Sequence, residues 1–200
     1  MSEPPPLAER LPSLVVGDRL RLELWRADAV DEVRALVERS RPTLAKFLPW
    51  AMVEVTTEEE AKVQADAEQR WRDRLMAGWT IVEDGSIRGM LGLHRRGGPD
   101  ELEIGYWLDD QATGRGLMTE ACAMAIEVAF SIPAIEVVEI IHDRANARSE
   151  AVPRRLGFSR SAAFTSPPTA PSETGIKVRW CLRRDAWAAR SPASVVRSTA

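Results

Sequence analysis

Two glycines spaced two residues apart, in Gln111-Ala112-Thr113-Gly114-Arg115-Gly116, stand where an apolar run, Glu103-Ile104-Gly105-Tyr106-Trp107-Leu108, gives way to a helix-period run from Leu117 to Phe130. A strand, a glycine turn and a helix start in that order make a site for a phosphate. Glycine lets the main chain come close to an anion, and the first N–H groups of a helix, unpaired within it, point outward with the positive end of its dipole. The spacing excludes two common phosphate loops. A dinucleotide fingerprint needs a glycine three residues after Gly116, where Thr119 stands, and a nucleoside-triphosphate loop needs a Gly-Lys-Ser/Thr triplet that the chain lacks.

Two hundred residues at 44% hydrophobic content suit one domain with its own core. A net charge of −3 argues against a nucleic-acid or anionic-membrane partner, since such proteins carry a basic excess. The start, Met1 to Pro6, has neither the basic end nor the apolar run of a signal peptide, and no apolar stretch approaches membrane-spanning length. Cys122 and Cys181 form no metal or redox spacing, so a reducing cytoplasm is the expected home. His94 and His142 are too isolated for a metal site, and no metal is expected.

Periodicity supplies the elements. The proline-rich start leads to an expectation of a mobile lead-in over residues 1–14, a single domain over 15–188 and a frayed tail over 189–200. Leu20, Leu22 and Leu24 alternate with charged residues as a half-buried strand does. Asp28 is expected to cap a helix running to about Glu38, and Thr57 with Glu60 to form the capping box of a second helix ending at Gly78. Thr80 to Val82 and Ile87 to Leu93 flank Asp84-Gly85, a hairpin signal. Val137 to His142 reads as a strand, Ser149 to Leu156 as a helix stopped by Gly157, Thr165 to Ser172 as a mobile loop, and Ile176 to Leu182 as a last strand. The sum is a mixed α/β or α+β domain.

Four motifs in order go further. The strand Glu103 to Leu108 is similar to the "E-[LI]-G-Y-W-L" strand of the RimJ/RimL branch of the GCN5-related N-acetyltransferases, and Gly116-Leu117-Met118-Thr119-Glu120-Ala121 to its "G-x-[MA]-[ST]-E-A" helix start. Asn146-Ala147-Arg148-Ser149 with Leu156-Gly157-Phe158 resembles its "N-x-x-S…L-G-F" element, and Phe47-Leu48-Pro49-Trp50 its "[FL]-L-P-W" segment. The resemblance implies a central, mostly antiparallel twisted sheet flanked by helices, with two central strands splayed to admit the pantetheine arm of acetyl-CoA. It implies transfer of an acetyl group to a primary amine, a protein N-terminus or a small molecule, and leaves a homodimer open. An acetyl-CoA-binding sensor or scaffold without catalysis is the competing reading.

What the resemblance implies can be carried residue by residue. Leu108, Gln111, Gly114, Arg115, Gly116, Leu117, Met118 and Thr119 would hold the cofactor's diphosphate side, with Asn146 on the pantetheine amides. Glu103 is the candidate base, Glu101 the fallback, and a backbone N–H near Trp107 or Leu108 the oxyanion donor. Ser149 would protonate the leaving thiolate and also cap its helix. Tyr106, the only tyrosine, reads as packing, as do Trp25, Trp71, Trp107 and Trp180, whereas Phe47, Trp50 and Trp79 are assigned to the acceptor wall. Relatives carry an aspartate at the start of the last strand; Gly175-Ile176-Lys177-Val178 has none.

Overall fold

At Asp84 and Gly85 the backbone takes φ values of 50° and 75°, the left-handed pair that a two-residue turn between twisted strands requires. This turn joins β3 (Met76–Glu83) to β4 (Ser86–His94), the hairpin expected from Asp-Gly. The computed structural model describes residues 6–7, 9–96, 98–190 and 197–199. Before the hairpin come β1 (Leu14–Val16), β2 (Leu20–Leu24), α1 (Val30–Leu44) and α2 (Thr57–Arg72); after it come β5 (Glu101–Leu108), α3 (Leu117–Ser131), β6 (Val137–Asp143), α4 (Ala147–Leu156), β7 (Ser159–Thr165), β8 (Ile176–Arg183), α5 (Arg184–Ala188) and β9 (Arg197–Thr199). Among the described residues nine strands form one sheet in the order β7-β8-β6-β5-β4-β3-β2-β1-β9. Only β5 and β6 run parallel.

Side-chain alternation divides the sheet into two faces. Ala77, Trp79 and Ile81 of β3, Leu91 and Leu93 of β4, and Leu102 and Ile104 of β5 share one buried cluster with α3 and with Val152 and Leu156 of α4. Ten of the fifteen residues of α3 are buried, because this helix is apolar nearly all round and is covered on several sides. Each fully buried leucine or isoleucine here contributes about 2 kcal/mol. On the opposite face Val82 and Ile87 meet Val30, Val33, Leu36 and Val37 of α1, with Trp107 packed against them.

The parallel pair sets the architecture. Only Glu101–Glu103 pairs with Val137–Glu139, although β5 has eight residues and β6 seven. Past Glu103 and Glu139 the strands diverge, so the splay implied by the resemblance is present and has its vertex at these two glutamates.

Several local expectations fail for identifiable reasons. The capping box of α2 is Thr56 with Glu59, one register earlier than Thr57 with Glu60, since the run Thr-Thr-Glu-Glu-Glu offers both and Thr56 holds the extended backbone a cap needs. α2 also stops six residues before Gly78. Arg74 takes the left-handed position (φ 61°), with Leu75 N–H on the Arg70 carbonyl and Arg74 N–H on that of Trp71, a helix end built without glycine. Gly78 lies inside β3 opposite Gly92. α1 has no side-chain cap from Asp28 and continues through Pro42 to Leu44.

The described part of the lead-in packs against the domain. Leu7 and Leu11 are buried, and the Pro12 and Leu11 carbonyls accept from the indoles of Trp79 and Trp71 at 2.9 and 2.7 Å. Of the expected frayed tail, residues 191–196 and 200 lie outside the described residues, and Arg197–Thr199 pairs with β1. The loop over 165–172 is likewise held: Ala170 is buried, Glu173 accepts from the N–H groups of Thr169 and Ala170, and Ser172 N–H donates to the Lys46 carbonyl.

Candidate functional site

Gly114 and Gly116 have φ of 77° and 81°, values that favour glycine, and a Cβ at either would meet no protein atom within 4 Å. The loop is therefore glycine-rich for its backbone shape and for the space left in front of it. Gly116 is the cap residue of α3 and offers no side chain, so the N–H groups of Leu117, Met118 and Thr119 are free of helix partners and face outward. An open groove of about 440 Å³ follows, lined by Gly114, Gly116, Thr119, Glu120, Ala123, Arg155 and Leu156. Arg155, from the last turn of α4, was not among the expected residues; only the fold brings it to the loop.

The loop is anchored at both ends by carboxylates. Asp109, at the end of β5 and 1% exposed, accepts from Arg39 at 2.9 Å and Ser40 at 2.9 Å, and these bonds hold its carboxyl below the usual range against the opposing effect of burial. Ser40 Oγ in turn accepts from Asp110 N–H. Both partners sit on the turns of α1 beyond Glu38 that the sequence reading left out. Arg115 lies on the loop as expected, but its guanidinium is engaged by Glu83 at 2.8 Å, a buried carboxylate also approached by Arg19 and Arg88. Gln111 is in the short turn Asp110–Ala112 and exposed, and Leu108 ends β5.

Glu103 points to the face opposite α3, in step with Gly105 and Trp107. Its side chain is 16% exposed and pairs with Arg96 at 3.0 Å. Burial raises its carboxyl above the ordinary range, and nearby Glu139 adds to the rise against the pull of Arg96. Directly across the β4–β5 ladder stands His94, whose ring burial and the charges of Arg96 and Arg70 lower to a pKa of about 4, so it is neutral at physiological pH.

Of the three expected acceptor-wall residues, Trp50 packs against Trp107 on this face and Trp79 lies on the other. Trp50, in the short turn Pro49–Met52, is 45% exposed and its ring lies 6.0 Å from that of Trp107, tilted by 58°. Phe47 is half-buried in the same segment, next to Lys46, where the β7–β8 loop is tied down. Trp79 is 0% exposed and points to the α3 face. It is a core residue, because β3 starts at Met76 and alternation turns position 79 away from Trp50.

Across the splay, the Tyr106 hydroxyl lies 3.0 Å from both the carbonyl oxygen and Oγ of Ser149. Burial pushes its pKa far above the usual value, so it stays protonated. Ser149 does not cap α4. Asn146 does, its Oδ1 accepting from Ser149 N–H at 3.1 Å, and the helix begins at Ala147. With Oδ1 so engaged, a pantetheine contact from Asn146 falls to its amide N–H groups. The helix partner of the Ser149 carbonyl would be the N–H four residues on, but that residue is Pro153, which has none. The vacant carbonyl is what the Tyr106 hydroxyl occupies. Tyr106 thus has a polar role that a packing assignment missed, and the signal was Pro153 four residues after the serine.

Among the described residues there is no cluster of three or more metal-ligating side chains and no helix long and apolar enough to cross a membrane.

Comparison with known proteins bears on this geometry. Residues 19–159 match the model of an acetyltransferase (GNAT) domain. The "Putative ribosomal N-acetyltransferase YdaF" of Bacillus subtilis (strain 168) is 27% identical over 156 residues, which are 72% of this chain and 79% of that protein. Two solved structures share the fold: RimL, a ribosomal L7/L12 alpha-N-protein acetyltransferase in complex with coenzyme A (TM-score 0.79, 20% identity, 89% of this chain and 99% of that one) and the microcin C7 self immunity acetyltransferase MccE in complex with acetyl-CoA and AMP (TM-score 0.78, 16% identity, 84% and 93%).

Proposed function

Given that this chain belongs to the GNAT acetyltransferase family, we propose that it transfers the acetyl group of acetyl-CoA to a primary amine, with a protein N-terminal α-amino group as the leading acceptor, by direct attack in a ternary complex. The observation that carries this reading is the β5–β6 splay with Glu103 at its vertex and the glycine loop opening onto the groove behind it. The relative named as a ribosomal N-acetyltransferase supports the choice of acceptor.

In this reading the N–H groups of Leu117 to Thr119 and the groove at Gly114, Gly116 and Arg155 hold the diphosphate. The arm passes between the splayed strands. Glu103, solvent-reachable and with a raised affinity for protons, takes a proton from the acceptor ammonium. The amine nitrogen then bonds to the thioester carbon, the carbon–sulfur bond breaks, and the proton leaving the new amide balances the charge while the thiolate is protonated. Ser149 Oγ is the donor and regains its proton from solvent, while the Tyr106 hydroxyl, which stays protonated, holds Ser149 in place. A thiol pKa near 8.5 means that this acid need not be strong.

The test is free-thiol release from acetyl-CoA with a panel of N-terminal peptides, seryl and alanyl among them, and small primary amines. Sustained release with a peptide supports the reading. Tight CoA binding with no release for any amine makes the chain a binding module, and release with small amines alone moves the acceptor class.

A further inference from the structure

One row of polar side chains crosses the sheet on the face that carries Glu103. Strand register sets His94 opposite Glu103, Glu103 opposite Glu139, and Glu139 opposite Cys181. All four point away from α3, because their neighbours Leu93, Leu102, Ile104, Val138, Ile140, Trp180 and Leu182 fill the cluster on the other side. Glu139, 4% exposed, faces Glu103 across the vertex of the splay. Its Oε1 accepts from Cys181 Sγ at 3.2 Å and meets Arg179 at 3.5 Å.

Two carboxylates on facing positions of adjacent strands, one of them buried, work against each other's charge, and Glu139 acts on Glu103 in that way. We propose that Glu139 is a positioning residue for Glu103: a second carboxylate, fixed at the vertex of the splay, whose negative charge keeps the base proton-hungry and steers an ammonium toward it. This rests on the reading of Glu103 as the base. Glu139 is too buried to touch an acceptor, so it acts through its neighbour.

The surroundings fit the task. Arg96, just past β4, approaches Glu103 from the outer side, Arg179 of β8 approaches Glu139 from the far side, and His94, held neutral, adds no positive charge beside Glu103. Arg70 of α2 reaches the His94 side of the row. Arg96 and, from farther off, Arg179 both draw on Glu103, and Glu139 opposes that pull from the adjacent strand. During transfer Glu103 accepts one proton from the ammonium and later releases it to water.

The test uses the full chain labelled with carbon-13 at the glutamate carboxyls, with the Glu103 resonance assigned by its loss in Glu103→Gln. Removing the neighbouring charge in Glu139→Gln should move the Glu103 titration midpoint to lower pH, and Glu139→Asp, which keeps the charge, should restore most of it. With acetyl-CoA and an N-terminal seryl peptide as probes, the acid limb of kcat/KM should move to lower pH in Glu139→Gln and the plateau should fall about three- to tenfold, as expected for a weaker base. A Glu103 midpoint that does not move in a folded Glu139→Gln protein overturns the proposal and leaves Glu139 as a structural partner of Arg179 and Cys181. The titration needs no acceptor. If the peptide is not acetylated at all, the proposed acceptor fails while the midpoint still decides on Glu139.

Discussion

The two ends of the site are made of different material. At the cofactor end, Gly114, Gly116 and the first N–H groups of α3 act through the backbone, and the groove in front of them exists because side chains are missing. At the acceptor end of the proposed site, Glu103 of β5 and Trp50 of the α1–α2 segment would act through side chains. A backbone device needs only local sequence to form, whereas a side-chain device needs the sheet to be assembled first. Substitutions at the first end should therefore change affinity, and those at the second should change rate or acceptor KM.

The sharpest division is expected at Glu103. Glu103→Gln should lower turnover about 10²-fold, least at high pH where free amine is abundant, with CoA affinity by calorimetry unchanged. Stability gives a control with a definite sign. A carboxyl raised in the folded state loses folding free energy as pH climbs from its unfolded value through its folded one, so the neutral amide should melt no lower than wild type at pH 7. An equal fall in CoA affinity would erase the distinction between the two ends.

Next in size is Gly116→Val, which should weaken CoA binding at least tenfold, about 1.4 kcal/mol, by straining a φ of 81° and filling open space in front of the loop. Turnover at saturating CoA should change far less. Unchanged affinity in a folded variant would remove the loop from cofactor binding.

Tyr106→Phe and Ser149→Ala probe the seam between the ends. Tyr106→Phe should cost about 1 kcal/mol of stability, since the Ser149 carbonyl loses the partner that Pro153 denies it. Ser149→Ala should slow thiol release a few-fold at neutral pH and not at all well above the thiol pKa. Full activity in Ser149→Ala would make water the proton source. The smallest effect belongs to Trp50→Ala. Because Trp50 is half exposed and in contact with Trp107, its loss should raise acceptor KM about fivefold or less, with melting and CoA affinity untouched. A change in CoA affinity instead would place Trp50 at the wrong end.

The same contrast explains what was legible in the sequence. The glycine loop, the Asp84-Gly85 turn and the apolar α3 follow from residues close together in the chain, and each was placed correctly. Trp79 was misplaced because a helix ending at Gly78 and a strand starting at Met76 are both compatible with the local composition, and an arginine in a left-handed position ended the helix early. Arg155, Asp109 with its clamp on α1, and the Glu103–Glu139 neighbourhood could not be read locally, since each joins positions tens of residues apart. The helix cap expected of Ser149 went to Asn146.

The splay also has a mechanical meaning. Three residue pairs join β5 to β6, against six between β4 and β5 and seven between β6 and β8. The sheet is thus two plates, one of six strands and one of three, sharing a short seam, and bending about that seam would change the width of the slot while leaving the ladders on either side intact. A long, thin ligand lodged in the slot would touch both plates and act as a wedge that sets their angle. In that case the first amides to feel the cofactor are those of the seam itself, Glu101 to Glu103 and Val137 to Glu139, whose hydrogen exchange should slow on CoA binding even where no atom of the ligand comes near.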